Sequence, residues 1–549
     1  MSDTTSNTAE KLTTSDGKPL KASFAKALRR QKMRALILIA PLLLFVLVSF
    51  AAPIVDMLFR SVQNEIVPET LPRTVTALES WDPASGELPD EFVFAALRDD
   101  LIIAAERKQH TRLGSRLNYE MTGMSSLFRK TGRRVDDFGE IFTEQFEDLN
   151  EAWVEPATWV SLMASEDWIA AQAEWAAAGD DSAAEPAFVV SEAAKEALPR
   201  TAEIYAGFAN VIQTEDEDSP TEEEPWNPVY AALYGDLIAN PDAAASYSGV
   251  TAELLATAAA AVPEFEATTA REEFIDADED WGSLDVWQTL YRFKGPYTAG
   301  YYLAALDAQM TAHGIEMVPE DQRIYLLLFM RTLVLSVVIT FSCLILGYPI
   351  AFLLSHLPLR SANLLMILVL LPFWTSLLVR TYAWLVLLQK KGILNDFAIE
   401  IGLWETPIKL VHNLTGTLIG MAHIMLPFLV LPLYGAMKRI EKDMTHAAAN
   451  LGATPIQVFW KVFFPLSLPG LVAGSLIVFV LCLGFYVTPA VLGGGKVVMV
   501  ATQITAILEN QFNWGAASSL GVVLLASTLL ILVLAARFLK LDQVLFGRH

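Results

Sequence analysis

Few residues in this chain have the type and spacing that catalysis or metal binding requires. The run LGGGKVV at residues 492–498 lacks the first glycine of a phosphate-binding loop and has Val497 where serine or threonine should follow the lysine. The acidic run DADEDWGS at residues 276–283 has Trp281 and Trp287 where a calcium loop needs glycine and glutamate. No Ser/His/Asp, Cys/His or zinc-ligand set is present. We therefore expect no enzyme, no metal site, no directly bound cofactor and no nucleic-acid partner.

The remaining reactive side chains lie in apolar surroundings. His423 stands alone in an apolar run, which favours a packed or hydrogen-bonded residue over a ligand. Cys343 and Cys482 also lie in apolar runs, where cysteine behaves as a small hydrophobic residue. The polar part of the chain must therefore be held together by packing and not by disulfides.

Hydropathy and charge divide the chain sharply. It has 549 residues, of which 53% are hydrophobic, and its formal net charge is −23. Residues 61–322 hold the acidic excess, whereas both flanking parts are net positive. Six apolar runs are long enough to span a bilayer. They cover residues 35–59, 324–355, 363–389, 411–437, 467–491 and 516–538.

These patterns predict four parts, within an all-α integral membrane protein of six transmembrane helices. They are a basic tail at residues 1–34, a first transmembrane helix at 35–60, an acidic insertion at 61–322 and a five-helix core at 323–549. The lysines and arginines of the tail and the short loops place both termini in the cytoplasm and the insertion outside it. We expect a multi-pass membrane protein.

The insertion is expected to be a packed, mainly helical domain. It holds eight of the chain's 13 tryptophans, too many large aromatics for a disordered segment. Amphipathic patterns predict helices at residues 92–107 and 141–154, and breaks are expected at 179–186 and 214–225. Its acids suit a solvated face, or a field of one sign that concentrates cations above the membrane.

A short polar segment at residues 445–470 separates two apolar runs. Asp443 or Thr445 can cap its first helix, which an alanine-rich stretch continues and Gly452 ends. A helix that carries alanines in place of long side chains lets another protein approach its backbone closely.

The second helix of this segment has its own start and stop signals. Thr454, Pro455 and Gln457 fit an N-cap, a first-turn proline and a capping-box glutamine, and Pro465 is expected to close the helix.

The spacing of this segment resembles the coupling loop of ABC importer permeases, in which Glu-Ala-Ala is followed by glycine and then by Ile-x-Leu-Pro. His446 stands at the position of the glutamate, and Val462 and Phe464 replace the aliphatic pair. In that family the loop, here residues 443–466, docks into a groove of a separate ATPase subunit. The resemblance implies this role for His446, Ala447, Ala448, Leu451, Gly452, Ala453 and Pro465.

Proline-containing breaks in the apolar runs resemble more specifically the polyamine (spermidine/putrescine), PotB-like subfamily. They read GYPIAF at 347–352, LPFWTSLLVRTYAW at 371–384, LPFLVLPLY at 426–434 and GFYVTPAVLGG at 484–494. The resemblance implies translocation of a polyamine by alternating access. It also implies four kinds of partner: an ATPase pair that uses the ATP, a second permease subunit, a periplasmic binding protein and the lipid bilayer. The insertion is not part of this pattern.

A substrate path would run through the apolar spans. Arg380 is an ionisable residue within the third span, where such residues are costly and often functional, although it could equally snorkel to the interface. Aromatic rings nearby could attract a cation, or could serve only helix packing and an interfacial belt. The candidate path residues are Trp374, Arg380, Tyr382, Trp384, Phe485, Tyr486, Thr488 and Glu509.

Two alternatives remain open. The chain could import another small solute, such as an amino acid, thiamine or ferric ion. It could instead be a membrane-anchored sensor or scaffold whose acidic domain binds an extracellular partner.

Overall fold

The structure, a computed structural model, describes residues 20–178, 184–311 and 314–538. Most of the predicted basic tail and part of the predicted break at 179–186 lie outside these ranges. The chain divides into two compact units that meet between Arg60 and Ser61, and each is described by itself.

The first unit is one long helix that passes through a proline. It consists of α1 (Leu20–Val46) and α2 (Ala52–Arg60), joined by a π-helical turn at Leu47–Ala51. A proline ring clashes with the carbonyl four residues earlier, and for Pro53 that carbonyl belongs to the π turn. The wider turn lets the helix continue, and its part Leu28–Arg60 is long and apolar enough to cross a membrane.

The second unit begins with the insertion, whose described residues are mainly helical and include one hairpin. Its helices are α3 (Ile66–Thr70), α4 (Pro72–Ala77), α5 (Glu91–Glu106), α6 (His110–Leu117), α7 (Met124–Thr131), α8 (Glu140–Leu149), α9 (Pro156–Met163), α10 (Glu166–Ala178), α11 (Glu192–Ala197), α12 (Pro199–Val211), α13 (Asn227–Ala239), α14 (Gly249–Ala261), α15 (Ala270–Ala277), α16 (Leu284–Phe293) and α17 (Gly300–Ala305). The antiparallel strands β1 (Ala308–Thr311) and β2 (Gly314–Met317) follow, with Gln309 opposite Glu316.

The insertion contains two hydrophobic cores. Lobe A, formed by residues 61–138 and 270–298, contains the first core, and lobe B, formed by residues 140–265, contains the second. Four tryptophans are fully buried, two in each core, as expected for a packed domain: Trp281 and Trp287 in lobe A, and Trp153 and Trp159 in lobe B.

The two lobes repeat the same architecture, beginning with the sequence LPRT at residues 71–74 and 198–201. In lobe A the backbone N–H and hydroxyl of Thr74 both donate to the carboxylate of Asp100, at 2.8 Å each. In lobe B Thr201 donates to Asp236 in the same way, at 2.8 and 2.7 Å. Each carboxylate therefore fixes the start of one helix on the next.

The aromatic clusters match as well. Four rings of one core correspond to four of the other: Phe94, Phe274, Trp281 and Trp287 in lobe A, and Tyr230, Phe146, Trp153 and Trp159 in lobe B. The ring centroids of Phe94 and Trp287 are 4.4 Å apart, and those of Tyr230 and Trp159 are 4.8 Å apart. In both lobes the indole N–H of the second tryptophan donates to the carbonyl of the first, at 3.0 and 2.8 Å.

Chain order shows that the repeats have exchanged segments. Along the sequence the repeats run from 61 to 165 and from 188 to 298, and each ends with its tryptophan pair. In space each tryptophan pair completes the core of the other repeat. Matching bridges close the lobes, Gln63 with Tyr297 in lobe A and Val190 with Ala164 in lobe B.

The rest of the second unit is helical and mostly apolar. Its helices are α18 (Tyr325–His356), α19 (Leu359–Leu370), α20 (Leu377–Leu387), α21 (Ile393–Glu400), α22 (Leu414–Lys438), α23 (Lys442–Asn450), α24 (Pro455–Val458), α25 (Phe464–Leu483), α26 (Val500–Gln511) and α27 (Trp514–Phe538). Over both units, the described residues contain five helices of membrane-spanning length and composition, or up to seven spans if two bent helix pairs are counted.

Two of the predicted spans need correction. The span predicted at 363–389 is a broken pair, Leu359–Trp374 and Leu377–Leu387, bent by 97° around a 3-10 turn that contains Pro372. The span predicted at 467–491 begins and ends too late: the helix runs from Pro455 to Leu483, and a second bent pair, Pro489–Lys496 and Val500–Gln511, follows it. Glycines and prolines at these positions break helices that hydropathy alone reads as straight.

Helix α22 lies at the centre of this helical part, packed against α18 and α25. At Gly474 on α25, a Cβ atom would lie 2.9 Å from the carbonyl oxygen of Leu429 on α22. The glycine therefore permits an approach that no other residue would allow, as is common where membrane helices pack through small residues.

The insertion is joined to the ends of the apolar helices by a set of side chains from lobe A and the segment after it. Asp307 accepts hydrogen bonds from the backbone N–H groups of Ile324, Tyr325 and Leu326 at 3.1, 3.0 and 2.7 Å, and so caps α18. The hydroxyl of Tyr119 donates to Gln511 on α26 at 2.8 Å.

Tyr301 adds apolar contacts to this junction. Its ring packs with Ala516, Ala517 and Leu520 of α27, and Ser519 donates to its carbonyl oxygen at 3.3 Å. The insertion is thus held to α18, α26 and α27 by both polar and apolar contacts.

A buried ion pair lies behind Tyr301. The Arg116 guanidinium donates to Glu120 at 2.7 Å and to Asn64 at 2.8 Å, and it lies 4.3 Å from the centre of the Tyr301 ring. Both charged side chains are fully buried. Burial raises the pKa of the Glu120 carboxyl, and the charge of Arg116 opposes that shift.

The exchange of segments can be tested with two soluble fragments. Residues 140–268 contain all of lobe B, so we expect this fragment to be helical by circular dichroism and to melt cooperatively. Residues 61–165 form one repeat in sequence, but they contain only half of each hydrophobic core. We therefore expect no cooperative transition and tryptophan emission typical of exposed indoles. A cooperative fold in the second fragment and none in the first would show that the repeats are not exchanged.

Candidate functional site

The segment between α22 and α25 is exposed along its whole first half. Helix α23 follows Glu441, which makes no side-chain cap, and none of its residues is buried. The expected cap at Asp443 or Thr445 is wrong, since both residues lie inside the helix and the Thr445 hydroxyl donates to the Lys442 carbonyl. The predicted coupling residues His446, Ala447 and Ala448 lie on this helix.

Gly452 ends α23, as predicted from the sequence. Its φ of +86° lies in the left-handed region, and no atom lies within 4 Å of the position that a Cβ would occupy. The backbone N–H groups of Gly452 and Ala453 donate to carbonyls of α23 and close its last turn. The neighbouring Leu451 is 89% exposed.

The second helix begins where the sequence predicts and ends elsewhere. Thr454 and Gln457 form a complete capping box around Pro455. Pro465 does not close the helix, because a π-helical turn at Phe459–Phe463 contains the carbonyl that the proline ring would meet. The helix therefore runs on into α25, and α24 is continuous with an apolar span.

Aromatic contacts attach the second half of this segment to α18, and apolar side chains elsewhere on the segment are exposed. The Phe352 and Phe463 rings lie 5.1 Å apart, and the Tyr348 hydroxyl lies 3.1 Å from the Ser467 hydroxyl. Elsewhere on the segment, four apolar side chains are exposed: Met444, Leu451, Ile456 and Trp460. An exposed apolar patch on a supported helix is the usual form of a docking surface for another protein.

The candidate path residues fall into two groups. One group meets where α20, α22 and the π turn Pro489–Gly493 pack together. There the Trp384 indole donates to His423 at 3.1 Å, and the buried hydroxyls of Thr381 and Thr488 lie 3.3 Å apart. His423 is therefore a hydrogen-bonded residue, as predicted.

Arg380 is next to this cluster and is unusual. Its Nε and Nη1 atoms are buried and have no hydrogen-bond partner among the residues that the structure describes. Phe485 packs against the core formed by α18, α22 and α25.

The other candidates lie apart from this cluster. Trp374 is 84% exposed at the bend between α19 and α20, and Tyr382, Tyr486 and Glu509 are also exposed. Within the described ranges, the side chains of these four residues make no hydrogen bond, ion pair or ring contact with one another. The structure therefore gathers part of the predicted path and leaves the rest on the surface.

The junction between the insertion and the apolar helices was not predicted from the sequence. Its members, such as Asp307, Tyr119 and Tyr301, contact residues up to several hundred positions away along the chain, and each is an ordinary residue type. The repeat within the insertion did have a signal, because LPRT occurs twice, each time upstream of an AAL-x2-DLI motif, at residues 95–102 and 231–238.

Helices of membrane length, joined by an exposed helix–glycine–helix segment, are typical of a membrane-spanning transport component. A family model described as "Binding-protein-dependent transport system inner membrane component" matches residues 317–541. Together with the relatives below, it shows that the chain belongs to this family of transport permeases, which are not themselves enzymes. Nearly all of the insertion lies outside the match.

The relatives point to the subfamily. The spermidine/putrescine transport system permease protein PotB of Salmonella typhimurium is 35% identical over 211 residues, 38% of this chain and 74% of PotB. PotB of Haemophilus influenzae is 38% identical over 202 residues, 36% of this chain and 71% of PotB. The molybdenum transport system permease protein ModB of Mycobacterium bovis is 30% identical over 214 residues, 39% of this chain and 78% of ModB. The predicted PotB-like resemblance is confirmed.

The capping box of α24 gives a local prediction. Replacing Thr454 with alanine removes one cap, which is worth about 1 kcal/mol, so we expect about fivefold faster hydrogen exchange at the Gln457 amide. Thr445→Ala, on the same exposed segment, removes a hydroxyl that caps nothing and should leave this amide unchanged. Equal effects of the two substitutions would contradict the capping geometry.

Proposed function

We propose that this chain is the membrane-spanning subunit of an ABC importer that carries a polyamine, spermidine or putrescine, across the bacterial inner membrane. The observation that carries the proposal is the exposed segment α23–Gly452–α24. Its apolar side chains have no cover within the described part of the chain, and it continues directly into a membrane-length helix. A partner ATPase that binds there could move α25.

The polyamine assignment rests on the PotB relatives, which are named as spermidine/putrescine permeases. The helices themselves give it little support, because Arg380 would repel a cation and Glu509 is an exposed carboxylate on α26. Selection of the cargo would then lie mainly in a separate binding protein. The similarity to ModB keeps other small solutes as alternatives.

The proposed mechanism is alternating access, in which an inward and an outward opening exchange around a path near the middle of the membrane. The bent pairs α19–α20 and Pro489–Lys496 with α26 place irregular backbone beside α22, where a path can be lined by protein. The cluster around Trp384, Thr381 and Thr488 lies at this junction. ATP would be used by the partner ATPase, and a second permease subunit would complete the path.

The proposed orientation follows the charges. With both termini in the cytoplasm, the coupling segment is cytoplasmic and the acidic insertion lies outside. In this orientation the insertion stands between the periplasmic binding protein and the outer ends of α18, α26 and α27.

The coupling role predicts the effect of Gly452→Val. A β-branched residue at φ +86° is strained by about 1–3 kcal/mol, and the bulk alters the exposed turn. We expect more than tenfold loss of ATP-driven uptake and loss of the ATPase from the purified complex, with normal amounts of the chain in the membrane. The matched control is Gly402→Val, since Gly402 has a φ of +73° and no atom within 4 Å of its Cβ position. Full activity of Gly452→Val would favour the sensor or scaffold alternative.

The cargo is tested by uptake of labelled spermidine in cells with and without this chain. We expect chain-dependent uptake that excess putrescine blocks and that amino acids and ferric citrate do not. If spermidine does not enter while the ATPase still copurifies with the chain, the cargo assignment is wrong and the permease assignment stands.

A further inference from the structure

A cavity of about 530 Å³ lies at the junction between the insertion and the ends of α18 and α26. We call it the seam cavity. Its size is that of a small-molecule site. The cap residue Asp307 forms part of its wall, and the rings of Tyr119 and Tyr325 also line it.

The seam cavity is rich in side-chain amides. Four glutamines line it, Gln309 and Gln322 from the insertion side and Gln503 and Gln511 from α26. The Oε1 atom of Gln511 accepts from Tyr119, and that of Gln322 accepts from Thr122. The side chains of Gln309 and Gln503 have no hydrogen-bond partner among the described residues, so they are free to bind a solute.

The charges of the lining favour a cation. Asp307 is the charged residue of the wall, and neither lysine nor arginine lines the cavity in the described part of the chain. An ammonium group can donate to amide and hydroxyl oxygens, and it is attracted to tyrosine rings. An anion would find amide and hydroxyl donors but no positive charge.

A neighbouring groove, lined in part by the same residues Gln309 and Gln322, extends the negative surroundings. It carries the exposed carboxylates of Asp285 and Glu316. Arg292 is the one arginine among the described residues that line this groove, and it donates to the Met310 carbonyl at 2.9 Å. A cation that follows this groove meets carboxylates first and the amides of the seam cavity next.

We propose that the seam cavity binds the ammonium groups of a linear alkyl polyamine, with Gln309 and Gln503 as ligands from opposite walls. The choice of polyamine rests on the proposed function. A solute held there contacts the insertion and α26 at once, and α26 belongs to the second bent pair. The insertion thereby gains a role as part of the entry to the membrane path.

The test is equilibrium binding of labelled spermidine to the full chain in lipid nanodiscs, without a binding protein. We expect saturable binding that putrescine displaces and that mannitol and glutamate do not. The double substitution Gln309→Leu with Gln503→Leu should weaken binding by about tenfold or more, because two ligands to a charged group are lost. Gln389→Leu, at an exposed glutamine outside the cavity, should leave the affinity unchanged.

A gain of affinity guards against misfolding as an explanation. Gln309→Glu with Gln503→Glu adds two carboxylates at the same positions, and we expect at least tenfold tighter binding, reduced by salt. Unchanged affinity in both double variants, or no saturable binding to the original chain, would refute the seam cavity as a polyamine site.

The uptake assay separates this inference from the proposed function. If spermidine binds in the seam cavity but is not taken up by cells, the cavity stands and the assigned cargo fails. If spermidine is taken up but its binding to the chain is insensitive to all four substitutions, the assigned cargo stands and the cavity fails.

Discussion

The buried guanidinium of Arg116 sets the constraint on which the position of the insertion depends. A buried charge is tolerated only when it is paired and hydrogen-bonded, so Glu120, Asn64 and the Tyr301 ring must all stay in place around it. Asn64 in turn donates to the carbonyls of Phe293 and Gly295, which ties the first residues of lobe A to the end of α16. Because Tyr301 also packs against α27, one buried charge links the closure of lobe A to its attachment on the membrane part. Loss of Glu120 would leave the charge of Arg116 uncompensated in the junction.

The sequence predicted best those features that depend on local physics. Apolar runs located the spans, and the Thr454–Gln457 capping box and Gly452 were correctly read because helix ends are fixed by nearby residues. The errors came where the chain departs from regular geometry. Pro465 was read as a stop, but a π turn removes its clash, and Pro372 falls in a bend that hydropathy does not register. The helix–glycine–helix geometry of this segment could thus be predicted from spacing, whereas the bent pairs could not.

The tertiary contacts could not be predicted from local sequence, for a different reason. The seam cavity is formed by Gln309 and Gln503, two unremarkable glutamines far apart in the chain, and nothing near either one shows that they face a common space. Among the path residues, only the side chains around Trp384 and Thr488 are packed together. The repeat was different, since its two LPRT sequences are visible in the chain. Even so, sequence order would have assigned each tryptophan pair to the wrong lobe.

The bridge between Gln63 and Tyr297 has a consequence for how such a chain can be built. It brings the first and last residues of lobe A side by side, in the way that the termini of many independent domains adjoin. A domain with adjacent ends replaces a short loop without pushing apart the elements on either side, since only the two ends matter to the host. The acidic domain has the end-to-end geometry of an inserted domain. A different domain with adjacent ends could occupy this point of the chain. This domain could likewise occupy a short loop at the corresponding place in another membrane protein.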